Sequence, residues 1–295
     1  MNANRKFINL TMQMLVSMSA MFAVLVLVGI FAMLFGNGVK TFQVVSFKEF
    51  FGSTSWNPGA YKNPSYGILG LIWSTIMLSA GAMAIAIPLG IATATFISEF
   101  AQGRVKTILK STIEILAGIP SVVVGFVGLE VIAPFLQKVF LLDNSFTALN
   151  GAILLAIMAL PTIVSLSEDA IRSVAYSFKE ASYGLGATQW QTIVKITLPA
   201  ARAGIISACV LGFGRAIGET MTVLMVTGNA AAFTTNFFEP VRTMTATIAI
   251  ELGEVAYDTT HYYSLFAIGS VLFLMSLLFN FVAEKVASYY RIKGI

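Results

Sequence analysis

The amino-acid sequence predicts an all-α integral membrane protein with six transmembrane helices. Of the 295 residues, 57% are hydrophobic and 11% are charged, whereas soluble domains average about 45–50% apolar and about 25% charged residues. A soluble domain of this length would need more polar surface to cover its core. The apolar residues fall into six long runs, and the basic residues concentrate in alternate loops. We therefore infer that lipid is the solvent.

Each of the six runs is long enough for a helix that crosses the bilayer, which takes about 20 mostly apolar residues. The first run is longer than the apolar core of a signal peptide, about 7–15 residues, which predicts a retained span. The second is long for one crossing, and Pro88 is a place for the helix to kink or to continue as an interfacial helix. The predicted spans cover approximately residues 12–35, 67–97, 112–136, 149–167, 204–228 and 263–284.

The lysine and arginine residues orient these spans. With the N-terminus in the cytoplasm, twelve basic residues fall on the cytoplasmic side, five fall on the outer side, and Arg215 lies within the fifth span. Because basic residues stay preferentially on the cytoplasmic side, both termini are predicted to be cytoplasmic. The sequence contains no basic run with interleaved aromatic residues. We therefore expect contact with membrane lipid and no nucleic-acid partner.

Two outer segments, residues 37–66 and 229–262, contain turn formers and aromatic residues. They are suited to capping a pathway, receiving a partner or placing aromatic side chains at the membrane interface. The chain has one cysteine, Cys209, and one histidine, His261. An intrachain disulfide and a histidine-pair metal site are therefore excluded. We expect a small packing cysteine, a loop histidine and no metal.

The loop between the fourth and fifth spans predicts a helix, a glycine turn and a second helix. Through Ala181, apolar residues recur at spacings of three and four, as on one face of a helix. Gly184 and Gly186 then turn the chain, and a short helix is predicted from about Gln189 to near Pro199. A compact element that is apolar on one side suits a groove of another protein.

This segment resembles the EAA loop of permeases in ATP-binding-cassette importers. The motif reads Glu-Ala-Ala, three residues, Gly, nine residues, Ile, one residue, Leu-Pro. Its positions here are Glu180, Ala181, Ser182, Gly186, Ile196, Leu198 and Pro199. Only Ser182 departs, a small residue in place of alanine. The resemblance implies a coupling helix that docks in a cleft of an ATPase subunit, with Glu180 and Gly186 as leading contacts. The alternative is an ordinary amphipathic loop.

The 295 residues contain no G-x-x-x-x-G-K-[ST] phosphate loop. The chain is therefore not expected to be the ATPase itself. Together with this absence, the resemblance implies a transport subunit that is not an enzyme by itself and binds no cofactor, with ATP and magnesium bound by a partner ATPase. Two rivals come from other classes. A membrane enzyme would use Glu114, Glu130 and Glu219, yet these carboxylates lack a nucleophile–base pairing. A passive channel or structural anchor would leave the docking loop unexplained.

Two stretches narrow the resemblance. Residues 118–125, GIPSVVVG, and 214–221, GRAIGETM, are similar to the two permeases of the high-affinity phosphate importer, and the continuation to residue 229 is closer to the PstC-like member. This similarity covers spans three to five, roughly half the chain. It implies a type I importer permease fold with the transmembrane domain at 67–295 and its coupling loop at 168–202. Residues 1–66 would then hold the N-terminal cytoplasmic end, the first span and an outer loop.

The resemblance also implies partners and a location. The partners are a second, PstA-like permease, two PstB-like ATPase subunits and a PstS-like extracytoplasmic phosphate-binding protein. The location is the cytoplasmic membrane of a bacterium or archaeon. Pairing with a different permease is implied, although a second copy of the chain stays an alternative.

Four residues are predicted to line the substrate pathway: Arg215, Glu219, Ser121 and Thr162. An arginine inside an apolar span costs about 2.5–3.5 kcal/mol on insertion scales, so it should face a partner or an aqueous path. Its planar guanidinium suits a tetrahedral oxyanion. Glu219, four residues on, is predicted to lie on the same helix face and hold it. A static ion pair that locks helices, together with Glu114, is the alternative.

Ser121 and Thr162 stand beside Pro120 and Pro161, which are predicted to interrupt spans three and four. Broken helices near the midplane build substrate sites in many transporters. Ordinary kinks, with hydroxyls bonded back to the helix, are the alternative. Arginine chemistry does not separate phosphate from sulfate or molybdate, so another oxyanion stays open as the cargo.

Overall fold

A computed structural model of the chain describes residues 3–289, without the side chains of residues 3–9 and 287. The N-terminal part begins with one long helix and continues on the predicted outer side. Its elements are α1 (Ala3–Gly38), a 3₁₀ turn (Val39–Gln43), α2 (Phe47–Gly52) and a short antiparallel hairpin of β1 (Trp56–Asn57) and β2 (Ser65–Tyr66).

The second and third crossings are built differently from each other. The second is the single helix α3 (Leu69–Glu99), in which Pro88 causes no interruption. A separate helix, α4 (Gly103–Gly118), precedes the third crossing. That crossing has three pieces: α5 (Ser121–Val127), a π-helical turn (Gly128–Ile132) and α6 (Ala133–Phe140).

The remaining elements complete the bundle. In order they are α7 (Ala148–Arg172), α8 (Tyr176–Gly184), α9 (Gln189–Thr192), a π-helical turn (Ile193–Thr197), α10 (Leu198–Gly218), α11 (Met221–Val226), α12 (Met244–Glu251) and α13 (Thr260–Tyr289). Six helical segments among the described residues are long and apolar enough to cross a membrane. The predicted all-α membrane fold with six spans is confirmed.

Helix α7 is the centre of the bundle. In the apolar stretch of α7 that could cross the membrane, 61% of the residues are buried, whereas none are buried in that of α1. Its neighbours α3 and α10 approach it closely at glycines. A Cβ atom on Gly90 or on Gly212 would lie 2.6 Å from the side chain of Ile163. Small residues permit close helix packing in lipid, where the hydrophobic effect between helices is absent. Ile163 is accordingly fully buried between the two neighbouring helices.

The predicted start of the third span at residue 112 is wrong. Residues 112–118 belong to α4, of which no residue is buried, and the crossing begins at Ser121. Pro120 causes the break, since proline disfavours helical backbone at the preceding residue, and Ile119 is extended with a ψ angle of 127°. Glu114 therefore lies on α4 and not within the third span.

The fifth span also differs from its predicted range of 204–228. Its helical run extends from Gln189 to Gly218, so the second helix of the cytoplasmic loop does not end near Pro199. The π-helical turn directly before α10 widens the backbone, and Pro199 lies in the first turn of α10, where a missing N–H is tolerated. The predicted interruption at Pro161 is absent too, because α7 continues through it under packing from both sides.

Candidate functional site

Arg215 lies in the last turn of α10 and contacts α7. Its Nη1 donates a hydrogen bond to Thr162 Oγ1 over 3.4 Å. Arg215 is exposed and Thr162 is half-buried. Most of the five donors of the guanidinium are therefore turned towards the open face of the chain. Two of the four predicted pathway residues are thus brought together, although no sequence spacing links them.

The predicted ion pair between Arg215 and Glu219 is not formed in the part of the chain that the structure describes. Helix α10 ends at Gly218, and Glu219 is extended with φ −69° and ψ 129°. Four-residue spacing aligns side chains only within a continuous helix. The Glu219 carboxylate instead accepts a hydrogen bond from the backbone N–H of Thr222, over 3.2 Å, in the first turn of α11.

Thr222 joins the remaining pathway residues to this site. Its hydroxyl donates to the backbone carbonyl of Ser121 over 2.9 Å and lies 3.1 Å from Met158 Sδ. Met158 is one helical turn before Thr162 on α7. The start of α5, one face of α7, the end of α10 and the start of α11 therefore converge. The sequence analysis did not predict Thr222 as a site residue. The available signal was a hydroxyl residue three positions after a glutamate.

The cytoplasmic segment turns at Gly186 through a Schellman motif. The N–H of Ala187 donates to the carbonyl of Ser182, and the N–H of Gly186 donates to that of Tyr183. Gly186 has a φ angle of +81°, in the left-handed region that favours glycine. Gly184, the other predicted turn residue, is the last residue of α8. The glycine turn thus depends on Gly186 alone.

Helices α8 and α9 are held against each other by a buried polar contact. The hydroxyls of Ser182 and Thr192 are 2.9 Å apart, and both residues are buried. A capping box formed by Thr188 and Gln191 starts α9. Ser182, the single departure from the EAA motif, therefore supplies a hydrogen bond that alanine lacks.

An ion pair attaches the cytoplasmic segment to the end of α3. Lys179 Nζ on α8 lies 2.7 Å from Glu99 Oε1, with both side chains largely removed from solvent. Gln189 Nε2, on α9, donates to the Glu99 backbone carbonyl over 3.1 Å. Polar contacts therefore attach the segment to a spanning helix.

We expect Lys179→Met to weaken this attachment, because a hydrogen bond between charged groups contributes about 1.5–3 kcal/mol. The temperature of the unfolding midpoint should therefore fall, which thermal unfolding of the purified protein measures. The exchanged pair, Glu99→Lys with Lys179→Glu, should recover most of the loss. Equal defects in the exchanged pair and the single variant would contradict an attachment by charge.

The predicted coupling residues divide by exposure. Glu180, Ala181, Gly186 and Pro199 are exposed, whereas Ile196 and Leu198 are half-buried at the base of the segment. Two large apolar side chains that sequence reasoning missed accompany the exposed group: Leu185 is 91% exposed and Trp190 is 65% exposed. Apolar residues concentrated on a short exposed element mark a protein interface. Their signal in the sequence was a large apolar residue on either side of the turn.

On the predicted outer side, Glu251 contacts three side chains, of which only that of Trp56 is distant from it in the sequence. Its carboxylate accepts from Trp56 Nε1 over 3.0 Å, pairs with Arg242 Nη1 at 2.8 Å and lies 2.8 Å from His261 Nε2. The expected loop histidine is wrong, because His261 lies in the first turn of α13 and contacts a carboxylate. A cavity of about 580 Å³ opens beside it, lined also by Tyr66. Burial raises the pKa of the Tyr66 phenol above its ordinary value.

The three carboxylates of the rival enzyme hypothesis are on separate elements. Glu114 is on α4, Glu130 in the π-helical turn of the third crossing, and Glu219 after α10. No group of three acidic, cysteine or histidine side chains that could hold a metal ion occurs between residues 3 and 289. The described residues therefore do not assemble these carboxylates into one centre.

Three features define the class of protein as a multi-pass membrane transport subunit. They are six spanning helices, an exposed arginine within a span, and an exposed helical segment between two spans. The chain belongs to the family of binding-protein-dependent transport system inner membrane components, whose sequence model matches residues 86–291.

Individual relatives agree with this family. The chain is 39% identical over 287 residues to the probable ABC transporter permease protein YqgH of Bacillus subtilis, covering 97% of this chain and 93% of that one. It is 37% identical over 284 residues to the phosphate transport system permease protein PstC of Mesorhizobium japonicum, covering 89% and 85%. These relatives are named as transport permeases.

Solved structures agree on the fold. A bacterial ABC transporter involved in the import of alginate superimposes with a TM-score of 0.65 at 17% identity. The superposition covers 97% of this chain and 99% of the other. At this identity the likeness concerns the fold alone. The chain therefore shares the fold of that transporter chain.

Proposed function

We propose that the chain is one permease of an ATP-binding-cassette importer that moves inorganic phosphate inward across the cytoplasmic membrane of a bacterium or archaeon. The observation that carries the proposal is Arg215, exposed within the spanning region and held by Thr162 beside Ser121 and Glu219. The relationship to permeases named for phosphate transport supports the choice of cargo.

The chemistry of the site favours phosphate over sulfate. Arg215 offers a planar fork of N–H donors, and the Thr162 hydroxyl lies beside it. Phosphate near neutral pH keeps at least one proton, which it donates to an acceptor, whereas sulfate keeps none. The Glu219 carboxylate is such an acceptor, and one of its oxygens already receives the Thr222 N–H. Sulfate has no proton to donate to the other carboxylate oxygen, and the two negative charges would repel each other, which opposes binding.

The coupling segment supports the ATP-driven part of the proposal. Leu185 and Trp190 flank the turn at Gly186 and offer apolar surface to a groove in an ATPase subunit. In this proposal two PstB-like ATPase subunits hold ATP and magnesium, and a PstA-like permease completes the pathway. A PstS-like binding protein would deliver phosphate to the outer face, where Glu251 and its cavity lie.

Labelled-phosphate uptake by the reconstituted complex tests the cargo. We expect uptake to persist in a large excess of sulfate and to be abolished by a large excess of unlabelled phosphate. Glu219→Gln keeps an oxygen for the Thr222 N–H but removes the negative charge, so sulfate should then compete measurably. The same competition assay, carried out on the unmodified complex and on the Glu219→Gln variant, measures this difference. Sulfate could instead inhibit the unmodified complex at the same concentrations as unlabelled phosphate does. That result would favour the other candidate function, an importer of another oxyanion.

A further inference from the structure

Glu219 occupies a break between two helices, where few backbone hydrogen bonds hold it. Helix α10 ends at Gly218 and α11 begins at Met221. The N–H of Glu219 donates to the carbonyl of Ala216 over 3.4 Å, which is a long hydrogen bond. The half-buried carboxylate accepts one hydrogen bond among the described residues, from the Thr222 N–H. The backbone of Glu219 therefore needs support from another element.

That support comes from α12, through a residue 26 positions further along the chain. The Thr245 hydroxyl donates to the backbone carbonyl of Glu219 over 3.0 Å, and Thr245 is buried. The carbonyl accepts no other hydrogen bond from the residues that the structure describes. Because the backbone has only two soft torsion angles per residue, a fixed carbonyl restricts the ψ angle of Glu219. Loss of the Thr245 hydroxyl would free this torsion and leave the carbonyl without a donor.

The Thr245 hydroxyl is itself held in one direction by the start of α12. A carbonyl oxygen only accepts hydrogen bonds, so Thr245 donates its proton to Glu219. The Thr243 hydroxyl, 3.0 Å from that of Thr245, therefore donates to Thr245. The same Thr243 oxygen accepts from the N–H of Ala246 over 3.3 Å and so caps the helix. The cap of α12 thus sets the direction in which the Thr245 hydroxyl points.

Helix α12 is attached to other elements at both ends. At its first residue, the N–H of Met244 donates to Thr75 Oγ1 on α3 over 3.1 Å, and both residues are buried. At its last residue, the Glu251 carboxylate accepts from Trp56 Nε1 over 3.0 Å. A helix attached at both ends is a firm support for the hydroxyl that contacts Glu219.

We propose that Thr245 is a positioning residue for the Glu219 carboxylate and thereby sets which oxyanion the pathway accepts. The inference rests on the proposed function, in which this carboxylate accepts the proton of phosphate and repels sulfate. Thr245 acts through Glu219, since its buried hydroxyl is used by the Glu219 backbone. Specificity is a difference between two affinities. A carboxylate that is free to turn away repels sulfate less, so discrimination between the two anions should fall.

Competition by sulfate against labelled phosphate tests the proposal on the reconstituted complex. Selectivity is measured as the sulfate concentration that halves uptake divided by the corresponding concentration of unlabelled phosphate. We expect Thr245→Val, at nearly constant volume, to lower this ratio about three- to tenfold, as the loss of one hydrogen bond implies. Thr245→Ser keeps the hydroxyl and should keep the ratio near its unmodified value.

Thr247→Val is the matched control, because it makes the same substitution at another buried threonine of α12. The Thr247 hydroxyl donates to the carbonyl of Thr243 over 2.9 Å, at the start of its own helix, and does not contact Glu219. This variant should leave the ratio unchanged. A purely structural role of Thr245 would lower the rate of uptake without changing the ratio.

The Glu219→Gln background shows whether Thr245 acts through the Glu219 charge. Thr245→Val should change the ratio little further there, because the charge that it positions is absent. The proposal is overturned if Thr245→Val leaves the ratio unchanged, or if it has the same effect in both backgrounds. Thr245→Ala takes the place of Thr245→Val if that variant does not assemble. Failure of both to assemble would make Thr245 a folding residue and would also overturn the proposal.

The cargo can be wrong while the positioning role of Thr245 is right. If the unmodified complex takes up sulfate or molybdate instead, the ratio is measured with that anion labelled and phosphate as the competitor. Thr245→Val and Glu219→Gln should each still change this ratio, and their effects should not add. That result would refute phosphate as the cargo and support the positioning role. A ratio that neither variant changes would refute both.

Discussion

Arg215→Gln is expected to reduce phosphate uptake by at least about 100-fold while the complex still assembles and hydrolyses ATP. The guanidinium donates at least two bonds to a bound oxyanion when it acts as a fork. Each hydrogen bond to a charged group contributes about 1.5–3 kcal/mol, and every 1.4 kcal/mol is about tenfold. Glutamine keeps a single amide donor group and no charge. The contacts that hold the coupling segment do not involve Arg215.

Uptake of labelled phosphate, ATP hydrolysis and subunit recovery should be measured on the same preparation. Arg215→Lys keeps the charge without the fork and should retain part of the uptake. Thr162→Val removes the hydroxyl that contacts the guanidinium, at nearly constant volume, and should have a smaller effect than Arg215→Gln. Phosphate uptake at the unmodified rate in Arg215→Gln would remove Arg215 from the pathway.

A static role for Arg215 would have different consequences. The sequence left open an ion pair between Arg215 and Glu219 that locks helices together. Among the described residues, Arg215 makes one hydrogen bond, to a hydroxyl at 3.4 Å, and Glu219 binds a backbone N–H instead. One long hydrogen bond stabilises a helix interface weakly. Loss of assembly in Arg215→Gln would therefore be as unexpected as normal uptake.

Helix number and type were predictable because hydropathy is a property of composition over about 20 residues. Helix ends were less predictable, because they depend on single backbone positions. Residues 112–118 continue the apolar run of the third span, and only the extended backbone at Ile119 separates α4 from the membrane crossing. The end of α10 at Gly218 is equally local. It changed the predicted partner of Glu219 from a side chain to a backbone N–H.

Individual residues of the candidate site could be predicted from the sequence, but the contacts between them could not. Arg215 and Thr162 were each identifiable, one as an intramembrane charge and the other as a hydroxyl after a proline. Their contact depends on how α7 packs against α10, which spacing along the chain does not encode. The π-helical turn at Gly128–Ile132 was not predictable either. It requires the packing of Gly128 on Leu154, a contact between residues 26 positions apart in the sequence.

Gly186→Arg is expected to reduce recovery of the ATPase with the permease by about 100-fold and to abolish uptake. Gly186 is exposed, and no atom lies within 4 Å of the position of an added Cβ atom. The free chain therefore has room for the side chain. Inside the groove of an ATPase, however, an unpaired charge is strongly destabilising, by about 3–5 kcal/mol when a buried charge is left without a partner. The left-handed backbone adds about 1–2 kcal/mol against any ordinary residue.

Two variants separate docking from backbone strain. Gly186→Asn suits the left-handed backbone better than other residues and carries no charge, so its recovery of the ATPase should be reduced much less than that of Gly186→Arg. Gly253→Arg places the same side chain at another exposed glycine with open space, on the predicted outer side. It should leave ATPase recovery unchanged, since the proposed ATPase contact lies on the other side of the membrane. If Gly186→Arg recovers the ATPase as well as Gly253→Arg does, the segment that turns at Gly186 is not the docking element.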